Sequence, residues 1–229
     1  MGRKIKAALI DMDGVLYDSM PNHARAWMRV MTDSGIPARE EEFFLYEGRT
    51  GASVINEMIQ RTFGRDATED EKKDLYALKA KHFVAQGGAP VMPFAQEFIQ
   101  VLRSRGINTV LVTGSGQNSL LSRLDDDYPG AFPATRRITS ASVTHGKPHP
   151  EPYLKGLELA GVDKDEAIVF DNAPLGTASG HSAGMYTVGI VTGPLHSDEL
   201  YKTGADFVFN SMEECAKNVS ELLDKIEQL

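Results

Sequence analysis

Ala7-Ala8-Leu9-Ile10 is an unbroken apolar run that stops at Asp11-Met12-Asp13-Gly14. A run without polar alternation is the pattern of a strand covered on both faces, as in a parallel sheet. Similar runs recur at residues 108–113, 167–170, 186–191 and 207–209, and the later ones follow helical patterns. Phe94, Phe98, Val101 and Leu102 repeat at helix spacing before the second run, and Tyr153, Leu154, Leu157 and Ala160 before the third. Helix and strand in alternation predict an α/β fold, a Rossmann-like doubly wound parallel sheet with its functional loops at the carboxyl ends of the strands.

The alternation stops between Ser19 and Gly88. Four helical stripes follow one another there: Ala24, Trp27, Met28 and Met31; Phe43 and Phe44; Val54, Ile55, Met58 and Ile59; Leu75, Leu78 and His82. Ser19-Met20-Pro21 marks the exit from the sheet, and Gly87-Gly88 with Pro90 and Pro93 marks the return. The reading is a four-helix cap domain at residues 19–88, inserted into a core domain of residues 1–18 and 89–229.

Composition excludes several classes. With 41% hydrophobic and 24% charged residues the chain has the balance of an ordinary globular protein. Its single cysteine, Cys215, rules out an internal disulfide framework and points to a reducing compartment, so a cytoplasmic location is expected. No run approaches the roughly 18 apolar residues of a membrane span. The apolar stretch after Met1-Gly2-Arg3-Lys4-Ile5-Lys6 is too short for a signal peptide, and Gly2 lacks the downstream hydroxyl of a myristoylation site. A net charge of −8 argues against nucleic acid as the main partner, though one local site can still hold a small anion.

Chemistry-bearing residues cluster at the strand ends. Asp11 and Asp13 lie two apart, and two neighbouring carboxylates repel unless a cation holds them. Thr113-Gly114-Ser115-Gly116 is an anion cradle or a plain turn. It is not a nucleophile elbow, because the run through Gln117 lacks the flanking glycines. Lys147 sits in Gly146-Lys147-Pro148, a stiff turn that presents one ammonium group, and no P-loop glycine precedes it. Asp171-Asn172 before Pro174 offers a carboxylate and an amide, or a helix cap.

Together, in this chain order, these motifs resemble the haloacid dehalogenase superfamily of phosphotransferases over essentially the whole chain. Asp11-Met12-Asp13-Gly14-Val15-Leu16 resembles its first motif, Thr113 its second, Lys147-Pro148 its third and Asp171-Asn172 its fourth. The helical insert, with Asp18-Ser19, His23 and Ala26-Trp27, is similar to the cap of the β-phosphoglucomutase-like subgroup. The resemblance implies that Asp11 is a nucleophile forming an aspartyl phosphate and Asp13 the acid and then the base. It also implies Mg2+ held by Asp11, Asp171 and the Asp13 carbonyl, with Thr113, Gly114, Ser115 and Lys147 on the phosphoryl oxygens. Asn172 departs from the second acidic residue that many members carry.

Substrate choice falls to the cap, where the candidates are His23, Glu47, Arg49, Tyr76 and Lys79. Glu47 would repel a bare sugar phosphate yet could bind the metal of a chelated polyanion, while His23, Tyr76 and Lys79 gripped a second phosphoryl group. This arrangement resembles a bacterial inorganic pyrophosphatase of the subgroup, so the expected substrate is pyrophosphate and the expected state a monomer. The alternatives are a sugar-phosphate phosphatase or β-phosphoglucomutase, with Arg49 holding a distal phosphate, and a catalytically silent phosphate-binding module. Elsewhere, Gly176, Gly180 and Gly184 suit a helix packed closely on the sheet, and Asp125-Asp126-Asp127 a solvated helix end.

Overall fold

A computed structural model describes residues 4–116 and 118–228. Residues 1–3, 117 and 229, and with them the readings at Gly2 and Gln117, lie outside the described residues. The chain runs β1 Ala7–Ile10, then α1 Met20–Asp33, α2 Glu42–Leu45, α3 Gly51–Phe63 and α4 Glu69–Ala85. It continues through α5 Ala95–Ser104, β2 Asn108–Val112, α6 Asn118–Leu121, α7 Leu124–Asp127, β3 Arg137–Ile138 and α8 Glu151–Ala160. The last elements are β4 Ala167–Asp171, α9 Pro174–Ser182, β5 Tyr186–Ile190, α10 Ser197–Lys202, β6 Phe207–Phe209 and α11 Met212–Ile226.

All strand pairs are parallel, in the order β3-β2-β1-β4-β5-β6. The expected doubly wound sheet is therefore present. Its central strand explains the site: Ala7 of β1 registers with Asn108 of β2 on one side and Ala167 of β4 on the other. The chain winds from β1 to β2 and β3 on one side and then crosses back to β4, β5 and β6 on the other, which opens a crevice at the carboxyl ends of β1, β2 and β4. β3 is only two residues long at the edge of the sheet, too short for a periodicity signal, and has no counterpart among the runs read from the sequence.

Alternation along β1 feeds two cores. Ala8 and Ile10 join Phe98 of α5 and Leu223 of α11 on one face, while Ala7 and Leu9 join Tyr153 of α8 on the other. Full burial on both faces is why the run carries no polar residue, and Leu9→Ala would cost about 2–5 kcal/mol.

The four helices after β1 gather a separate apolar cluster around Trp27, Phe43, Ile55 and Met58. α3 starts on Thr50, whose hydroxyl accepts from Ser53 N at 3.3 Å, and stops at Gly64 with a left-handed φ of 68°. α4 differs from its expected stripe: its buried residues are Lys79 and Phe83, whereas Leu75, Leu78 and His82 are only partly covered. The reason is that α4 packs against both α1 and α3, and Lys79 on its inner face meets His23 of α1. The two connections run side by side, with Asp18 N donating to Pro90 O at 3.0 Å and Asn22 Nδ2 to Gly88 O at 2.6 Å. Gly87 and Gly88 both take left-handed backbone, at φ 85° and 77°, which side-chain-bearing residues rarely adopt.

Three smaller readings are sharpened. A Cβ at Gly180 would stand 2.7 Å from Thr187 Oγ1, so α9 does pack closely on the sheet, but Gly184 lies beyond the end of α9 in left-handed backbone. The acidic triplet is not simply solvated: Asp127 accepts from the Tyr17 hydroxyl at 2.9 Å, and Asp125 pairs with Arg137 at 2.7 Å. Cys215 is buried in the core, as expected of a helix residue. Among the described residues, no helix is long and apolar enough to cross a membrane.

Candidate active site

Asp11 follows β1 directly, its amide donating to Phe170 O of the neighbouring β4 at 3.0 Å. Lys147 reaches across from the loop before α8, placing Nζ 2.5 Å from Asp11 Oδ1, 2.7 Å from Asp171 Oδ2 and 3.1 Å from the Val112 carbonyl. All three donor positions of the ammonium group are thus used, on the ends of three adjacent strands. Asp171 is fixed further by the Ala173 amide at 2.9 Å and by the Tyr153 hydroxyl at 2.5 Å. A Cβ at Gly176 would fall 1.9 Å from the Asp171 carboxylate, so a glycine on α9 makes the room for it.

Asp13 turns the other way, towards the helical insert. Its Oδ1 accepts from Ser19 Oγ at 2.6 Å and from His23 Nε2 at 2.8 Å. His23 Nδ1 in turn lies 2.5 Å from Lys79 Nζ, so a neutral ring protonated at Nε2 accepts a hydrogen bond from the lysine at Nδ1. Thr113 Oγ1 is 3.5 Å from Asp13 Oδ2 and accepts from Ser115 N at 3.0 Å. Gly114 backs onto the insert, since a Cβ there would meet Gly48 O at 2.4 Å. Tyr76 accepts from Gly116 N at 3.1 Å and so ties α4 to the same loop.

Glu47 and Asn172 meet as Asn172 Nδ2 donates to Glu47 Oε1 at 2.7 Å. Gly14, with φ 79°, passes beneath them, and a Cβ there would lie 2.0 Å from Asn172 Nδ2. Arg49 does not join the cluster. It pairs with Glu57 at 3.5 Å and lies over the Tyr46 ring at 5.0 Å, on the rim of the cavity between sheet and insert. That cavity measures about 60 Å³ and is lined by Asp11, Asp13 and Thr113 on one side and Trp27, Tyr76 and Lys79 on the other.

Electrostatics follow from burial. Asp11 is pushed up to about 8, first by burial and then by Asp171 and Asp13, against the pull of Lys147. Lys147 is held protonated, because Asp11 and Asp171 outweigh its burial. Burial would also raise Asp13, but His23, Ser19 and Lys79 outweigh it and lower the carboxyl to about 2. Glu47 lies well above the carboxylate range through burial, relieved by Asn172 and reinforced by Asp11, Asp171 and Asp13. Lys79 is lowered to about 8 by burial, opposed by Asp13, and His23 is lowered by burial and by Lys79.

The buried groups fit a divalent cation. Asp11, Asp13, Asp171 and Glu47 are all buried, and among the described residues the buried lysines are Lys79 and Lys147. When all are ionised, two negative charges are left over. Asn172 Oδ1 is buried without a hydrogen-bond partner, beside the Nδ2 that donates to Glu47, an oxygen suited to a hard cation.

The structure brings together Asp11, Asp13, Thr113, Lys147, Asp171, Asn172 and Glu47, with His23, Tyr76 and Lys79 on the insert side. Lys79 is only 3% exposed, where its sequence context alone reads as a solvated lysine. Two contributors are absent from the sequence-based site. Ser19 reads there as a linker and an echo of the first motif, and Tyr153 as one apolar position of a helix stripe. A polar tip on an otherwise apolar stripe is the only signal Tyr153 offers.

The family model for haloacid dehalogenase-like hydrolases matches residues 5–184. Escherichia coli hexitol phosphatase A is 27% identical over 211 residues, covering 92% of this chain and 93% of that protein. A Thermotoga maritima phosphorylated carbohydrates phosphatase is 29% identical over 206 residues, covering 88% of this chain and 92% of its own. A solved Bacteroides vulgatus structure, provisionally named a beta-phosphoglucomutase, is 44% identical with a TM-score of 0.94, covering 100% of this chain and 92% of its own. Because the family match runs through every strand end that carries a site residue, the chain belongs to the haloacid dehalogenase-like hydrolases.

Proposed function

We propose that the chain is a Mg2+-dependent phosphohydrolase of small phosphorylated substrates, with a phosphorylated carbohydrate or polyol as the favoured class. The observation that carries the reaction type is the buried pair of opposed networks, Lys147 with Asp11 and Asp171 on the sheet and Lys79 with His23 and Asp13 under the insert. The substrate class is supported by the relatives, which are named for hexitol phosphate and phosphorylated carbohydrates. None of the relatives described above is named for pyrophosphate.

In this reading Asp11 attacks phosphorus and forms an aspartyl phosphate as the bond to the leaving oxygen breaks. Asp13 is ionised while it accepts from Ser19 and His23, so it would first take up a proton as it leaves them, pass that proton to the leaving oxygen, and then take one from the water that cleaves the acyl phosphate. To do so Asp13 trades its contacts with Ser19 and His23 for the leaving group, which couples the step to motion of the insert as a cap over residues 19–88. Lys147 aligns Asp11, and Thr113 with the amides of Gly114 and Ser115 receives the phosphoryl oxygens. Mg2+, held by Asp11, Asp171 and the Asp13 carbonyl with Asn172 and Glu47 near it, would neutralise the charge that otherwise keeps an anionic substrate away. Arg49 is engaged by Glu57 here, so the distal-phosphate grip of a mutase is not formed.

A second reading, pyrophosphate, is favoured by one observation. Glu47 is a buried carboxylate inside an already acidic site, a placement suited to a cation shared with a polyanion. The cavity of about 60 Å³ has room for roughly four to six waters, which also suits a compact substrate. The test is kcat/KM with Mg2+ on hexitol, hexose and glycerol phosphates beside pyrophosphate, with interconversion of glucose 1- and 6-phosphates assayed in parallel. Higher values on the sugar and polyol phosphates support the proposal, higher values on pyrophosphate replace its substrate, and interconversion without phosphate release overturns hydrolysis.

A further inference from the structure

The loop that delivers Lys147 carries two histidines that phosphate chemistry leaves unused. His145 and His149 bracket Gly146-Lys147-Pro148, and the loop folds so that their rings lie 4.6 Å apart, tilted by 32°. Both are exposed, on the side of the loop away from the buried lysine. Glu151, at the start of α8, completes the group: its Oε2 is 3.1 Å from His145 Nδ1. One ligand atom from each of the three falls within 4.8 Å of the others.

We propose that His145, His149 and Glu151 form a second metal site, for a borderline divalent transition ion of the Zn2+ class, on the outer rim of the Lys147 loop. Two imidazoles and one carboxylate suit Zn2+, Ni2+ or Cu2+ and not Mg2+, which takes oxygen ligands. Ligand atoms around a tetrahedral ion with bonds of about 2.0–2.1 Å stand roughly 3.3 Å apart. The rings therefore need a small rotation inward, which exposed side chains make freely.

The surroundings already orient the ligands. Glu151 accepts from the amides of Thr144 and His145, each at 2.9 Å, and from Lys155 Nζ at 3.0 Å. His145 donates its Nδ1–H to Glu151 Oε2 and so presents Nε2 as a ligand, whereas His149 accepts from the Glu151 amide at Nδ1, at 3.2 Å, and must give up that contact or its Nε2 proton to bind the ion. The His149 carbonyl is anchored by Ser179 Oγ at 2.7 Å. Three protein ligands leave a fourth position for water or an external ligand.

The experiment uses full-length protein saturated with Mg2+, with Zn2+ titrated against a chromophoric chelator and the imidazole resonances followed by NMR. Wild type is expected to take up one equivalent of Zn2+ at this site, which the His145→Ala/His149→Ala variant binds at least about tenfold more weakly. Mg2+-dependent turnover of the variant should match wild type, which certifies its fold. Equal stoichiometry and affinity in the two proteins would overturn the site. So would Zn2+ uptake that Asp171→Asn abolishes, or uptake with unshifted His145 and His149 resonances.

Discussion

The Lys79 ammonium lies 2.5 Å from His23 Nδ1, and the opposite nitrogen of that ring reaches Asp13 Oδ1 at 2.8 Å. A residue of α4 is thereby linked, through α1, to the carboxylate proposed as the acid and base of the reaction.

That link predicts a pH limb. Burial lowers Lys79 to about 8, so the side chain is charged below that pH and neutral above it. Loss of its charge would remove the proposed phosphate-binding cation and weaken the hydrogen bond to His23 Nδ1. Wild-type kcat/KM should fall as pH rises through about 8. Lys79→Met should reduce kcat/KM by about 10- to 100-fold at pH 7 and flatten that limb, as read from pH profiles of both proteins.

Asp11→Asn separates catalysis from stability. Turnover should drop at least about a thousandfold, since the proposed nucleophile is gone. Burial and the neighbouring carboxylates disfavour the Asp11 charge, so in metal-free protein the neutral amide should raise Tm. Thermal melts in chelator at pH 8 check the second half, and a lower Tm than wild type would contradict the surplus of buried negative charge.

Mg2+ should bind the native state alone and raise its stability. At about a hundred times its Kd the gain is about 2.7 kcal/mol, or roughly 5–10 °C for a chain of this size. Asp171→Asn should abolish most of that shift, measured by melts with and without the ion.

Tyr153→Phe tests a positioning role. The ring remains beneath Lys147, whose Nζ lies 4.9 Å from its centroid, but Asp171 loses the hydroxyl donor. Calorimetry should show Mg2+ affinity weakened about tenfold. An unchanged affinity would mean that the phenol only fills space.

Glu47→Ala discriminates the substrates. If the carboxylate serves a chelated polyanion, kcat/KM on pyrophosphate should fall at least about tenfold further than on a hexitol phosphate. A parallel loss on both would assign Glu47 to general metal binding.

The sheet was legible in the chain because a strand buried on both faces leaves an unbroken apolar run, and Ala7-Ala8-Leu9-Ile10 has no other economical reading. Asp11, Thr113, Lys147 and Asp171 were equally legible, since each stands where such a run ends or a stiff turn begins. Arg137-Ile138 was not, being two residues held in the sheet by a neighbour. Tertiary structure alone decided how the two halves of the site divide. Strand order put Lys147 between Asp11 and Asp171, 136 and 24 residues away in sequence. Packing of α4 on α1 buried Lys79 against His23, pulled Asp13 towards Ser19, and left Arg49 to Glu57. Local sequence specifies which backbone shape a segment prefers and which side chains it offers. The partners of those side chains, and so their charge states, depend on contacts between segments far apart in the chain.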